Sequence, residues 1–150
     1  MSWTTPRTWT TGELATAAHL NAQIRDNMNV VNPTALTIIV DGGGGVITTG
    51  SKAMFSIPFN ESVARWEVYT PGEPSSINFQ IFAVSYAGFP PASEDSINAG
   101  SPIRTSSAVK GQDTNPSAFG TLTQGEVAAL SVCSVSGVTK AFVNLWFSRT

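Results

Sequence analysis

The chain has 150 residues, which suits one domain with an accessory segment, and about two-thirds of the surface of an unfolded chain of this size can be buried on folding. Eight basic and ten acidic residues give a formal charge of −2 without any Lys/Arg cluster, so nucleic acid is excluded as an expected ligand because few counterions could be released on binding. Charged residues make up only 12% of the chain, so more of the surface than usual can be buried against neighbouring proteins.

The sequence predicts neither a secretory signal nor a membrane span. Its first residues are rich in Trp and Thr, whereas a signal peptide has a basic segment followed by an apolar run. No uninterrupted apolar stretch approaches the roughly 20 residues of a membrane-spanning helix. We therefore expect the protein to be made and folded in a cytoplasm, without a membrane as partner.

The first twelve residues predict an extended, threonine-rich arm that carries Trp3 and Trp9. Tryptophan brings a large apolar area and an indole N–H to an interface, and it is enriched among the residues that dominate binding energy. We expect Trp3 and Trp9 to anchor the chain to another protein. The alternative is that both fold back over an edge of their own β domain.

One amphipathic helix is predicted over residues 13–31, with Thr16 as its N-cap and Asn32-Pro33 as its end. Its apolar residues recur at spacings of three and four and form one stripe: Ala17, Leu20, Ile24, Met28 and Val31. We expect Leu20, Ile24 and Met28 to associate with copies from sister subunits in a short helical bundle. The alternative is that the stripe packs on the chain's own β domain.

From Thr34 onward the pattern predicts strands. Apolar or alternating runs of strand length are separated by turn-forming residues: 36–40, 46–48, 53–59, 63–69, 77–86, 127–135 and 141–148. Within one run, Trp66 and Val68 share the expected core face. Because no helices alternate with the strands, we predict a mainly β fold, a jelly-roll-like antiparallel β-sandwich over residues 34–150, preceded by the arm and helix of residues 1–33.

Two long segments, 88–107 and 110–125, lack clear periodicity and are rich in Pro, Ser, Asn and Gly. Long loops inside compact domains are commonly functional, so a binding surface is expected there. Aromatic rings near turns can stack on the apolar face of a sugar, which makes Tyr86, Phe89 and Phe119 candidate ligand residues, with Tyr69 as a further one by position. The alternative for each ring is a place in the core.

The sequence predicts no catalytic, cofactor or metal site. His19, the only histidine, belongs to the helix and not to a cleft. Together with the only cysteine, Cys133, it cannot supply the four ligands of a structural zinc site, and Cys133 itself is expected in the core. The glycine run 42–45 leads toward strands and not toward a helix that could bind phosphate. The neighbouring carboxylates Glu94-Asp95 are expected to point in different directions.

Two stretches resemble structural proteins of tailed bacteriophages. The segment from Trp3 to Ala17, with 20–21 and 24–27, is similar to the N-terminal arm and helix of small virion proteins. The remainder resembles the β-rich domain of tail-fibre, head-fibre and related virion proteins through these segments: 41–42, 46–50, 57–58, 86–90, 95–97 and 124–127. Two positions depart from the family's pattern, since Phe119 stands where Trp is common and Glu126 where Asp is usual. The resemblance implies a virion component, usually a trimer, on the capsid surface or at the tail.

We therefore expect a non-enzymatic structural protein of the phage virion, in a tail or head fibre or associated with the tail. Residues 1–33 are expected to attach it to other virion proteins and to sister subunits in a homotrimer, while residues 34–150 are displayed on the particle. One alternative is a capsid decoration protein that clamps capsomers. A second is a carbohydrate-binding receptor module that recognises a host-surface glycan. An enzyme that acts on cell-surface polysaccharide is disfavoured, because no acid–base constellation is evident.

Overall fold

The structure is a computed structural model that describes residues 5, 7–26, 34–72, 74–98 and 101–149. Backbone contacts divide the chain into two compact units, Met1–Pro33 and Thr34–Thr150. The division falls at the boundary that the sequence analysis placed between the arm-helix segment and the β domain.

The helix of the N-terminal unit is more irregular than predicted. An α-helix, α1, covers only Ala17–Leu20, and a π-helical segment continues it over Asn21–Asp26. Thr16 is the N-cap, as expected, and its hydroxyl accepts the His19 N–H at 3.3 Å. The predicted helix is therefore confirmed over residues 17–26, with π-helical geometry from Asn21 onward, while residues 13–16 precede it and residues 27–31 lie outside the described residues. Side-chain spacing shows which residues share a face, but it does not separate α from π hydrogen bonding.

The predicted extended arm ends in a turn at Thr11 and Gly12, which corrects the sequence prediction at these two residues. The chain turns at Thr11 and Gly12, where Gly12 has a φ of 86°, a conformation that favours glycine. The Glu13 N–H then donates to the Thr10 carbonyl at 3.1 Å. This turn brings residues 7–10 back toward the helix.

The second unit contains eight strands: β1 Thr34–Asp41, β2 Gly50–Ser56, β3 Glu61–Tyr69, β4 Ser75–Ser85, β5 Ile103–Ala108, β6 Lys110–Asp113, β7 Glu126–Ser136 and β8 Lys140–Arg149. Two 3₁₀ turns, Tyr86–Gly88 and Ser93–Asp95, lie between β4 and β5. The strands form two antiparallel sheets that pack against each other, a first sheet in the order β1-β8-β3-β6 and a second in the order β2-β7-β4-β5. β1 pairs with β8, β2 with β7, β3 with β6 and β4 with β5. These nested antiparallel pairs are distributed over the two sheets, as in a jelly roll, which confirms the jelly-roll-like sandwich.

The core lies between the sheets and follows the alternation of the long strands. Its largest fully buried side chains include Phe79, Ile81, Leu130, Val143 and Leu145. Trp66 and Val68 are buried, as predicted. The register of β3 against β8 shifts between Val63 and Arg65, and this bulge lets Val63 and Trp66, three positions apart, both face the core.

Two strands were missed by sequence analysis, because the structure places β5 and β6 inside the predicted loops 88–107 and 110–125. In β5 the buried positions are Ile103 and Thr105. Because one of them is polar, the sequence of β5 does not show the alternation of apolar and polar residues that predicts a strand. The buried Thr105 hydroxyl has a hydrogen-bond partner, because it donates to the Ser75 carbonyl at 3.0 Å. β6 contains no large apolar residue, and both strands are edge strands, where polar residues are common.

The predicted strand 46–48 is also wrong. Residues 42–49 form an irregular connection between β1 and β2, although Ile47 is buried and its N–H donates to the Val138 carbonyl at 2.8 Å. The apolar run therefore reflects burial of one side chain and not strand pairing.

Candidate attachment and ligand surfaces

The N-terminal unit is organised around Arg7, which ties the arm to the helix. Its guanidinium pairs with the Glu13 carboxylate and lies 5.2 Å from the centroid of the Trp9 ring. Its Nη1 is 2.7 Å from His19 Nε2, and its backbone N–H donates to Gln23 Oε1 at 2.7 Å. We call these five residues the Arg7 cluster. They give a short segment a defined shape without a buried apolar residue in α1.

The Arg7 contact defines the role of His19 Nε2. A guanidinium has donors and no acceptor, so Nε2 is the acceptor in this contact. The ring also meets Trp9 edge-to-face, with centroids 5.5 Å apart. Because the basic nitrogen is engaged by Arg7, His19 serves as a link between the arm and the helix.

Among the described residues of the N-terminal unit, four large apolar side chains are exposed: Leu14 by 78%, Ile24 by 52%, Leu20 by 45% and Trp9 by 42%. Three of them are predicted anchor residues. The other two predicted anchors, Trp3 and Met28, lie outside the described residues. Leu14 was not singled out from sequence because it precedes the N-cap and so falls outside the helical stripe. An apolar surface on so small a unit is typical of a protein–protein contact.

The predicted ligand residues do not share one surface role. Tyr86 begins the 3₁₀ turn after β4 and is 82% exposed, and Phe89 follows it and is exposed as well. Phe119 is partly buried and packs against the core, which is the alternative that the sequence analysis gave for each of these rings. The reason is local, since the neighbouring Gly120 N–H donates to the Ile97 carbonyl at 2.7 Å and holds this loop against the sandwich.

The solvent side of the first sheet carries a polar network centred on Glu67. The Tyr69 hydroxyl donates to Glu67 Oε2 at 2.6 Å, and the Arg65 guanidinium pairs with the same carboxylate. Arg65 also stacks over the Trp146 ring, 4.8 Å from its centroid. The hydrogen bond from Tyr69 is the main reason that the pKa of Glu67 is lowered, and it raises the pKa of Tyr69 in turn. Glu67 is therefore held as a carboxylate at neutral pH.

An apolar strip runs beside this network. The strand register aligns Ile39, Phe142 and Tyr69 across β1, β8 and β3, and Val109 lies next to them around a shallow depression that also includes Phe142 and Tyr69. Ile39 is 61% exposed. We call these four residues the Ile39 strip. It was not found from sequence, because it consists of single apolar residues from strands far apart in the chain.

Each residue that was considered for catalysis makes its own contacts in the structure. Cys133 is exposed, so its predicted place in the core is wrong; Val132 takes the inward position on β7. Although Cys133 is exposed as a residue, partial burial of its sulfur raises the pKa of the thiol, which is the opposite of an activated nucleophile. Asp95 accepts the Ala92 N–H at 2.6 Å, whereas Glu94 bonds to the Ser93 hydroxyl at 3.2 Å.

The glycine run closes a turn after β1. The Gly43 N–H donates to Asp41 Oδ1 at 2.8 Å, and the Gly45 N–H donates to the Gly42 carbonyl at 3.3 Å. Within the described ranges, no three His, Cys, Asp or Glu side chains come close enough together to hold a metal ion. No helix in the described part of the chain is long and apolar enough to cross a bilayer.

Comparison with known proteins gives no relative: no family model, no curated protein and no solved structure matches the chain.

Proposed function

We propose that the protein is a non-enzymatic structural component of a tailed-bacteriophage virion, attached through residues 1–33 and displaying its jelly roll on the particle. The observation that carries this proposal is the exposure of Trp9, Leu14, Leu20 and Ile24 on one small unit. Keeping large apolar side chains in water is unfavourable, and their burial in an interface recovers that free energy. A binding partner for this unit is the simplest reason for the sequence to retain them.

The Arg7 cluster supports an attachment role because it gives the unit a preformed surface. The Trp9 ring contacts both the Arg7 guanidinium and the His19 ring. A side chain that is already positioned loses less conformational entropy on binding than a free one. Trp9 therefore has the properties of an anchor residue, namely large area, partial exposure and fixed orientation.

Leu20 and Ile24 support association with sister subunits. They are four positions apart, are both exposed, and lie at the junction of α1 with the π-helical segment. Three copies of this short stripe can cover one another around a threefold axis. The proposed assembly is therefore a homotrimer held by the N-terminal unit.

The β unit supports display and binding. Eight-stranded jelly rolls are used by viral capsid and lectin domains, although the fold by itself does not specify a function. The groups that resemble catalytic ones are committed to structure: Glu67 is hydrogen-bonded as a carboxylate, His19 Nε2 is engaged by Arg7, and the pKa of the Cys133 thiol is raised. These arrangements favour a binding protein over an enzyme.

A capsid decoration protein is the second candidate, and the Ile39 strip is the observation that favours it. This apolar surface belongs to the β unit and could clamp a neighbouring capsid protein. The proposal is tested by locating labelled protein on purified particles by electron microscopy. Label at the tail or on fibres supports fibre-type attachment, label distributed over the capsid lattice supports decoration, and absence of label from particles contradicts both.

A further inference from the structure

β1 is an outer strand of the first sheet, and no strand of the described part of the chain lies on its far side. Directly after β1, and in the same register, the Gly42 N–H donates to the Thr139 carbonyl at 2.8 Å. In an antiparallel ladder, the residues that exchange hydrogen bonds with one neighbour alternate along the strand. The even-numbered residues of β1 therefore bond to β8, and Ala35, Thr37 and Ile39 direct their N–H and C=O groups to the open edge.

The edge of β1 lacks the features that normally prevent an edge strand from pairing with another chain, such as short length, a charged side chain or a bulge. The other edge strands of the described structure have them. β6 is four residues long with Lys110 and Asp113 at its ends, β2 carries Lys52 at a register shift, and β5 carries Arg104 and pairs with β4 through a register shift. β1 has eight residues, an unbroken register against β8 and no charged residue before Asp41.

The solvent side of β1 is complementary to itself about a twofold axis at Thr37. The register against β8 places three pairs side by side there: Ala35 with Trp146, Thr37 with Asn144, and Ile39 with Phe142. A second β1, antiparallel and centred on Thr37, puts its own Thr37 opposite Thr37 and its Ala35 opposite Ile39. Ile39, which is 61% exposed, would then be covered by a small side chain with the Trp146 ring of the second copy beyond it. Apolar rows continue into apolar rows, and the polar row into a polar row.

The core side and the charges fit the same register. Leu36, which packs against the core, would lie opposite the buried Ile38 of the second copy. Asp41 falls beyond the paired residues, and its carboxylate is bound to the Lys140 ammonium at 2.8 Å, so no like charges meet. Sliding the second copy by two residues would instead put Ile39 opposite Thr37 and lose the match.

We propose that β1 pairs with β1 of a second copy in this register and joins the first sheets of both copies into one continuous sheet. The outward N–H and C=O groups of Ala35, Thr37 and Ile39 then all have partners across the axis. The contact is isologous, because both copies use the same residues. It uses no residue of the N-terminal unit, so it does not depend on the proposed role of residues 1–33 and would join two of the proposed trimers.

Disulfide cross-linking of the full-length protein tests the register. Cys133→Ser removes the one natural thiol, and Thr37→Cys is added to it. Hydrogen-bonded antiparallel partners have Cα atoms about 5.5 Å apart, within the range of a disulfide, so we expect nearly complete conversion to a linked dimer under mild copper–phenanthroline oxidation. Gln112→Cys in the same background is the control, because Gln112 is exposed on the same cross-strand row but at the opposite edge, on β6. Cross-linking of Thr37→Cys no faster than that of the control would overturn the proposal.

Amide hydrogen exchange of the unchanged protein tests the hydrogen bonds themselves. The N–H groups of Ala35, Thr37 and Ile39 should exchange as slowly as those of the even-numbered residues of β1. Slow and fast exchange alternating along β1 would show an open edge and contradict the pairing.

Thr37→Pro separates this contact from the fold. It removes an outward N–H and no bond to β8, and proline is tolerated at such positions of edge strands. We expect light scattering to give half the mass of the unchanged protein, with the same β circular-dichroism spectrum. An unchanged mass with an unchanged spectrum would overturn the proposal, and if the variant loses its β spectrum, the two cysteine variants decide.

Discussion

Tyr69 and Glu67 lie two residues apart on the solvent side of β3, and the tyrosine hydroxyl donates to the carboxylate at 2.6 Å. This bond lowers the pKa of Glu67 below its ordinary value of 4.5, and the Arg65 guanidinium acts in the same direction. The folded-state pKa of Glu67 is thus depressed, so its stabilising contribution is present above about pH 4.5 and is lost as the pH falls through the folded-state pKa.

Tyr69→Phe should therefore reduce the free energy of unfolding at pH 7, because it removes the donor and keeps the ring. The reduction should shrink as the pH is lowered, since protonated Glu67 no longer gains from the bond. Urea unfolding of both proteins across this range measures the difference. Tyr86→Phe is the control, because that ring is exposed and should give no difference. A Tyr69→Phe effect that stays constant with pH would show that the bond does not control Glu67.

Glu61 is predicted to behave in the opposite way. It is buried, its Oε2 has no hydrogen-bond partner among the described residues, and burial raises its pKa, although Arg149 partly opposes the shift. A raised folded-state pKa means that ionised Glu61 destabilises the fold at pH values above its ordinary pKa of 4.5, and that this cost disappears as the pH falls.

Glu61→Gln should accordingly raise the free energy of unfolding at pH 7 and leave it little changed at acidic pH. The measurement is again urea unfolding at two pH values, with the exposed Glu94→Gln as the matched control. Loss of stability at both pH values would contradict the account, because it would mean that the ionised carboxylate makes a favourable contact.

We expect the loss of the Trp66 side chain to lower the free energy of unfolding far more than the loss of the Trp146 side chain. Trp66 is buried between the sheets, so Trp66→Ala leaves a cavity and should cost about 3–5 kcal/mol in the free energy of unfolding. Trp146 lies half-buried on the outer face under Arg65, so Trp146→Ala should cost clearly less. Thermal or urea unfolding compares them, and equal losses would be inconsistent with this assignment of faces.

The long strands could be predicted because their core residues alternate with exposed ones, as in Val143 and Leu145 of β8. β5 and β6 could not, because pairing with inner strands and local polar contacts such as that of Thr105 stabilise them without an apolar pattern. The alternation does not say which edge of the sandwich stays open. Trp66 was recognised as a core residue, but the lack of a partner for its indole N–H among the described residues depends on neighbours distant in the chain.

The same limit applies to the N-terminal unit. The exposed stripe with Leu20 and Ile24 follows from spacing, whereas the return of the arm depends on Arg7 meeting Glu13 and His19. Such side-chain contacts between a turn and a helix have no periodic signature. An Arg near a Glu in sequence is too common a pattern to predict one.

Ile24→Asp should dissociate the proposed homotrimer, because a carboxylate buried at an apolar seam costs several kcal/mol unless it is protonated or paired. Light scattering measures the mass of the unchanged and variant proteins. Ile39→Asp is the matched control, since Ile39 is similarly exposed but belongs to the β unit. If Ile39→Asp dissociates the assembly and Ile24→Asp does not, the subunit contact belongs to the Ile39 strip. A monomeric mass for the unchanged protein would contradict the trimer itself.

The copy number of the protein in purified particles tests attachment through residues 1–33 most directly. Quantitative mass spectrometry compares particles assembled with the full chain and with residues 34–150 alone. Every buried apolar residue among those described lies between Ile38 and Phe147, so the shortened chain should keep its β circular-dichroism spectrum and a cooperative melting transition. We predict a fixed copy number for the full chain and none above background for the folded, shortened chain. Equal incorporation of both would show that the β unit, and not the N-terminal unit, attaches the protein to the virion.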